Sequence, residues 1–426
     1  MEKGWIKGTG QQEMADEERS RQENRKLVIT HYEEGEKKGI LSALFEDDKA
    51  VELILEPEER PSLLGNIYIG KVKNLAPQIG AAFVEIGEKQ MCYYSLQENQ
   101  KPLITSRRHP ETKKTLVEGD ELIVQVNREA VKTKAPSVTS NLSFPGKYLV
   151  VTSEKGLLGV SSRLSGGERQ RLREFLAPHC DGSFGVIART NAAEAEEDVL
   201  LRELERLRES YREVLQKGYS RTCFTLLSRE DSPVLTILRR IPANTLSGIV
   251  TDDERIFKEL RGYLAKAQPE DLGKLRLYED KSFPLIKLYS LEKVLQDALR
   301  ERVWLNSGGY LVIQPTEALT VVDVNSGKFE KGKKRQNTFW KINREAAIET
   351  ARQLRLRNIS GIVIIDFIDM ESQTDREALM ELLAQELRKD PVKTALVDMT
   401  KLNLVELTRK KALKSLAEQW RALSET

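Results

Sequence analysis

The chain holds 426 residues, 39% of them apolar and 31% charged, with a net charge of +2, which leaves room for roughly two to four globular domains. No apolar run approaches the roughly 18 residues that a membrane span needs, and the N-terminus lacks the apolar core of a signal peptide. Cys92, Cys180 and Cys223 are widely spaced and form no C-x-x-C pair, which excludes a disulfide framework and a cysteine-built zinc site and points to a reducing, cytoplasmic compartment.

Residues 1–25 are polar and charged and read as a disordered or loosely helical extension. Residues 26–32, 39–45 and 51–55 then read as short strands. From residue 65 to about 141 the pattern changes: 66–72 alternates, 81–87 follows a Pro-Gln-Ile-Gly turn, and 90–94 and 121–127 supply further strands. Short strands separated by glycine turns predict a small Greek-key barrel of the OB type, inserted into the strands on either side of it. Phe83 and Tyr93 fall on neighbouring barrel strands, where aromatic faces stack unpaired bases, and Lys71, Lys73, Lys132 and Lys134 could follow the phosphates. Phe83 would serve equally as barrel core, and the sequence leaves both readings open.

Beyond the barrel come a strand at 148–152, a helix at 168–176 and a strand at 184–190 that ends in Arg189-Thr190. Residues 192–217 read as an amphipathic helix with Leu200, Leu204, Leu207, Tyr211 and Val214 on one stripe, suited to packing on a sheet or to a dimer seam. A strand at 247–251, helices at 252–266 and 291–303, a strand at 309–314, a helix at 374–389, a strand at 394–398 and a terminal helix at 404–420 continue the α/β order.

Within that order, two apolar segments each run into an aspartate: 319–325 carries Asp323, and 361–366 ends at Asp366. The helical stretch 337–357 between them makes the pattern of a right-handed crossover joining parallel neighbours, whose carboxyl ends are where ligands collect. Asp323 and Asp366 should therefore stand together at one sheet edge, with Asn325 in phase on the same strand face. Two adjacent carboxylates are best explained by a shared cation, and few oxygen ligands with room for water suit magnesium. His31, His109 and His179 share no ligand spacing, so the chemistry falls to the carboxylates. A basic loop follows at once, with Lys328, Lys331, Lys333, Lys334 and Arg335, and Arg352, Arg355 and Arg357 on the crossover helix extend the charge. Cation and basic side chains together suit a phosphodiester gaining charge in the transition state, so these residues predict metal-assisted hydrolysis of a nucleic-acid backbone. A non-catalytic binder of single strands is the alternative, and a phosphohydrolase acting on DNA or nucleotides a third reading.

The segments GNIYIGKVKNLAPQIGAAFVEIG, GVIARTNA, LNSGGYLVIQPTEALTVVDVNSG and ARQLRLRNISGIVIIDFIDM resemble the ribonuclease E/G family, collinearly from about residue 26 to about 410. The resemblance implies an α/β multidomain chain: an RNase H-like fold at 26–64 and 218–290, an OB domain of the S-one type at 65–141, a five-prime sensor at 142–217, a DNase I-like catalytic domain at 291–402 and a C-terminal helix at 403–426. It implies magnesium-dependent endonucleolytic cleavage of single-stranded, A/U-rich RNA, leaving five-prime phosphate and three-prime hydroxyl ends, in processing of ribosomal and transfer RNA precursors and in messenger decay. By position, Asp323 and Asp366 match the magnesium ligands, and Asn325 the residue that positions the scissile phosphate. Phe83 and Lys134 match RNA contacts of the OB domain, and Tyr93 stands where the family has phenylalanine. Arg189 and Thr190, lined by Val150, match the pocket for a five-prime monophosphate, a reading that guanidinium chemistry supports. Ser162-Arg163 stands where some relatives have paired arginines.

Long members of the family carry a cysteine pair that shares zinc between protomers. No cysteine follows Cys223 in this sequence, so a homo-oligomer is compatible with it but a zinc-linked one is not expected.

Overall fold

A computed structural model describes residues 24–58, 63–105, 116–130, 135–229, 232–242, 244–327 and 335–423, with 335–337 described by their backbone alone. Two compact units result, one joining Met1–Arg60 to Asn244–Thr426 and the other spanning Pro61–Ala243. The expected extension at 1–25 falls almost wholly outside the described residues. Among the described residues no helix is long and apolar enough to cross a membrane.

The first unit opens with an antiparallel meander, Arg25–Glu34, Lys37–Glu46 and Lys49–Pro57. Asp47 and Asp48 link its second and third strands at positive φ, the double left-handed step that matches strand twist in a two-residue hairpin. The sheet is completed by Leu246–Thr251, parallel to the first strand with Val28 beside Val250, and then by Leu275–Leu277.

A six-stranded sheet follows, in the order Arg302–Trp304, Tyr310–Pro315, Leu319–Asn325, Gly361–Asp366, Leu404–Arg409 and Thr394–Met399. Leu319–Asn325 and Gly361–Asp366 run parallel, joined by the crossover helix Arg335–Leu356, and both have antiparallel neighbours on their outer sides. Strand alternation sends Val322, Val324, Val363, Ile365, Val405 and Leu407 to one face, where they bury against Ile342, Ala346 and Ala347 of the crossover helix and Leu379 and Leu383 of Gln373–Arg388. The opposite face stays half open along its length.

The terminal helix expected at 403–426 is instead a strand followed by a short helix. Leu404–Arg409 is a strand whose inward positions Val405, Leu407 and Arg409 repeat every second residue. Among the described residues of this span Leu416–Ala422 alone is helical, started by a capping box of Ser415 and Glu418. Leu404 and Leu407 are three apart, a spacing that a helix stripe would also accept. Likewise the helix expected at 291–303 ends at Leu299, and Arg302–Trp304 becomes an edge strand.

In the second unit, Ile67–Ala76, Ala81–Glu85, Met91–Ser95, Ser137–Thr139 and Glu121–Arg128 close into a five-stranded OB-like barrel, sealed where Ile67 meets Gln125. A four-stranded sheet, Leu158–Val160, Gly185–Ala188, Leu149–Thr152 and Ser143–Pro145, stands beside it. The helix Glu197–Ser220 joins the two: its stripe of Leu200, Leu204, Leu207, Tyr211 and Val214 is buried with Leu149, Val151 and Val186 of the sheet and with Ile67, Ile69 and Ile123 of the barrel. Packing therefore consumes the stripe, and the dimer-seam alternative falls away. Residues 218–243 also stay in this unit, because Leu226–Ser228 pairs with the barrel strand at Ile67 and Tyr68.

Candidate active site

The parallel register sets Asp323 directly beside Asp366 at the carboxyl ends of their strands. Asn325, two residues on, donates from Nδ2 to Asp323 Oδ2 across 2.7 Å. The Asp366 carboxyl is held above its ordinary value, first by partial desolvation and then by the negative charges of Asp323 and Asp369. Like charges held this close favour a cation between them.

Two features fix this edge that the sequence reading passed over. Asn343 is fully buried on the inner side of the crossover helix. Its Nδ2 donates to Ile368 O across 2.7 Å while its Oδ1 accepts from Ile368 N across 3.0 Å. Both ends of one amide thus pin the segment that follows Asp366. Asn343 is in phase with the buried apolar positions Ala346 and Ala347, and a polar residue on a core stripe was the available signal. The second feature is a backbone approach at the end of the Asp323 strand. Gly327 has φ +68°, and a Cβ placed there would lie 2.5 Å from Gly308 O. Only glycine lets the two turns meet.

The carboxylates of Asp323 and Asp366 are hard oxygen donors of the kind that magnesium takes. Among the described residues, no group of three or more His, Cys, Asp or Glu converges to form a protein-built cage. Two carboxylates leaving most positions to water and phosphate are the usual donor set of magnesium rather than of calcium or structural zinc.

The basic flank is only partly as expected. Lys328 and the rest of the loop through Lys334 lie outside the described residues. Arg352, Arg355 and Arg357 do not extend the charge toward Asp323. Arg355 is buried and donates from Nη1 and Nη2 to Glu46 across 3.1 and 2.8 Å. Arg352 donates to Glu349, and to Ala50 O at a short approach of 2.5 Å, while Arg357 donates to Arg300 O across 2.6 Å. The reason is geometric: a crossover helix starts beside the carboxyl end of one strand and finishes where the next strand begins, so its last turn sits at the far end of the sheet.

In the barrel, Phe83 lies directly opposite Tyr93, and both are half-buried. Their neighbours Ala82, Val84 and Tyr94 point inward to the barrel core, so alternation puts Phe83 and Tyr93 on its outer surface. Lys73 is paired with Glu85 at 2.8 Å, and Lys132 and Lys134 lie outside the described residues.

The third cluster sits on the four-stranded sheet. Val150 opposes Ile187, and Arg189 and Thr190 follow at the end of that strand. Ser161 Oγ and Thr190 Oγ1 share a hydrogen bond of 3.1 Å, and Arg163 is exposed close by in sequence. Arg189 Nη1 donates to Gly146 O and, across 3.3 Å, to Arg239 O, so part of its fork holds the main chain. Beneath the cluster, buried Glu203 accepts from three consecutive backbone N–H groups, those of Lys147, Tyr148 and Leu149, at 2.7–2.8 Å. In sequence Glu203 hid among the charges of its helix; its signal was that it lies next to the buried stripe.

A family model described as the Ribonuclease E/G family matches residues 143–412. The chain is 34% identical over 383 residues to a protein named ribonuclease E from a Nostoc species, an alignment covering 89% of this chain and 55% of the relative. Ribonuclease G of Haemophilus influenzae is 34% identical over 385 residues, 88% of this chain and 78% of the relative. Ribonuclease G of Escherichia coli K12 is 34% identical over 376 residues, 86% and 76% of the two. The chain therefore spans little more than half the length of the Nostoc relative.

Proposed function

The chain belongs to the ribonuclease E/G family, and from that premise we propose that it is a magnesium-dependent endoribonuclease acting on single-stranded, A/U-rich RNA. The observation that carries this reading is the in-register pair Asp323 and Asp366 with Asn325 braced against it. Asp323 and Asp366 would hold the magnesium, which when bound supplies positive charge against the phosphate oxygens and Lewis acidity toward water. Asn325 holds Asp323 in one rotamer and presents its amide along the same strand face, where it orients the strand to be cut. Cleavage leaves a five-prime phosphate and a three-prime hydroxyl. Phe83 and Tyr93 stack unpaired bases on the barrel, and Lys134 and Lys328 contact phosphates. Val150, Arg163, Arg189 and Thr190 bind a terminal five-prime monophosphate, which stimulates cutting; a guanidinium with a hydroxyl beside it suits a terminal phosphate.

The fold assignments belong to the same proposal. An antiparallel meander extended by two parallel strands supports an RNase H-like reading of the first sheet. Helices confined to one face of the six-stranded sheet support a DNase I-like catalytic domain.

The test is cleavage of short A/U-rich RNA bearing a five-prime phosphate or hydroxyl, with and without magnesium. Cutting that needs magnesium and is lost in Asp323→Asn is the expected result. RNA binding without any cutting would favour the non-catalytic single-strand binder instead.

A further inference from the structure

The solvent-open face of the six-stranded sheet carries an aromatic group that neither the metal pair nor the barrel uses. Trp304 opposes Tyr310 on the edge hairpin, and Tyr310 in turn opposes Asn325. Residues directly opposite across strands share a face, so Trp304, Tyr310 and Asn325 form one row, beside the row that holds Asp323 and Asp366. With strands about 4.8 Å apart, Trp304 lies roughly 10 Å from Asn325 along this row. The two rings are 5.2 Å apart and tilted, and the Arg302 guanidinium lies 4.5 Å from the Tyr310 ring and 5.7 Å from that of Trp304. Trp304 nonetheless leaves 66% of its surface in water. Stabilising an edge hairpin does not require this, because a cross-strand aromatic pair gains its energy from contact rather than from an open ring face.

We propose that Trp304, Tyr310 and Arg302 form a stacking platform for an unpaired nucleobase next to the phosphodiester cut at Asp323 and Asp366. The proposal rests on the endoribonuclease reading for the identity of its ligand. Three observations select a base over a protein partner. The platform is continuous with the face that bears Asn325 and the carboxylate pair. The Trp304 ring is mostly exposed, with Tyr310 and Arg302 backing it, and stacking on it is tolerant of sequence, as a single-strand substrate requires. Arg302 adds a planar cation that stacks on bases and pairs with phosphate, and it stands on the edge strand where a strand of RNA crossing the sheet would leave.

The experiment uses the full chain carrying Asp323→Asn, so that binding is read without turnover, and a fluorescent A/U-rich oligonucleotide with one abasic site moved along it. Trp304→Ala should weaken binding about tenfold, while Trp304→Phe should retain most of it. One abasic position should cost the parent about tenfold and cost the Trp304→Ala protein nothing further. Circular dichroism should show the same fold in all variants, because Trp304 is mostly exposed. Equal binding by Trp304→Ala and the parent at every abasic position overturns the platform. So does a light-scattering mass that halves on Trp304→Ala, which would make this face a contact between copies of the chain. A wild-type chain that binds RNA but never cuts it would count against the nuclease reading and leave the platform standing.

Discussion

Asn325 braces Asp323 by a 2.7 Å hydrogen bond from its amide to one carboxylate oxygen, while Asp366, on the next strand, takes no such side-chain donor among the described residues. The two carboxylates are therefore unequal: one is oriented by a side chain, the other by register and by the pinned segment behind it. Asn325→Ala should lower kcat on the order of 10²–10³-fold with little change in KM, the range seen when one positioned donor is removed from a reaction centre. Steady-state rates on a short RNA measure this, and an unchanged kcat would remove Asn325 from the mechanism.

A pH-dependent contribution to stability comes from Glu46. Burial disfavours its charged form, yet the Arg355 hydrogen bonds and the charges of Arg355 and Arg25 together hold its carboxyl below its ordinary value. A carboxyl whose folded pKa is depressed stabilises the fold above its unfolded value, about 4.3, and loses that contribution as pH falls through the lower folded value. Chemical denaturation at pH 7 and below pH 4 should show this loss in the wild type and a smaller one in Glu46→Gln. At pH 7 the substitution should cost about 3–5 kcal/mol, since it leaves buried Arg355 without its counter-charge.

Glu203 should prove more important to the five-prime cluster than its place in a charged helix suggests. Glu203→Ala strands three buried N–H donors at 147–149. The expected loss is at least about 3 kcal/mol, from about 1–3 kcal/mol for each unsatisfied donor. Any preference for five-prime phosphate over hydroxyl ends should fall with it. Thermal melting and paired cleavage assays measure the two effects, and a normal melt would show that water replaces the carboxylate.

On the barrel, Phe83→Ala should weaken binding of single-stranded RNA by about 1–3 kcal/mol while leaving the melting temperature nearly unchanged, because the ring points outward. Tyr94→Phe supplies the contrast. Its buried hydroxyl donates to Ser140 Oγ across 3.1 Å, so its removal should cost about 1 kcal/mol of stability and no affinity. Fluorescence titration and melting on both variants separate the two roles.

Much of this was legible in the chain. Apolar runs ending in Asp323 and Asp366 around a helical stretch gave a parallel crossover, because strand period and crossover handedness leave few alternatives. Alternation around Phe83 pointed to a barrel strand but not to the side the ring takes, since one ring can occupy either face until the register is known. The arginines at 352, 355 and 357 misled because charge in sequence carries no direction along a helix axis. Their partners Glu46 and Arg300 lie 309 and 57 residues away. Glu203 and Asn343 escaped for a related reason: a buried polar side chain is explained by the main chain it serves, and that main chain is distant in sequence.

The pairing of Val28 with Val250 has a consequence for synthesis. The strand Arg25–Glu34 emerges from the ribosome long before its parallel neighbour exists. In the interval the whole of Pro61–Ala243 is made, with its barrel and sheet sharing one core. Domains tend to fold as units, N-terminal segments first, and long-range strand pairing is slow. The inserted unit should thus be complete while the meander still shows an unpaired edge at Arg25–Glu34. Nascent chains arrested at about residue 245 would be protease-resistant in the insert and prone to associate through that open edge.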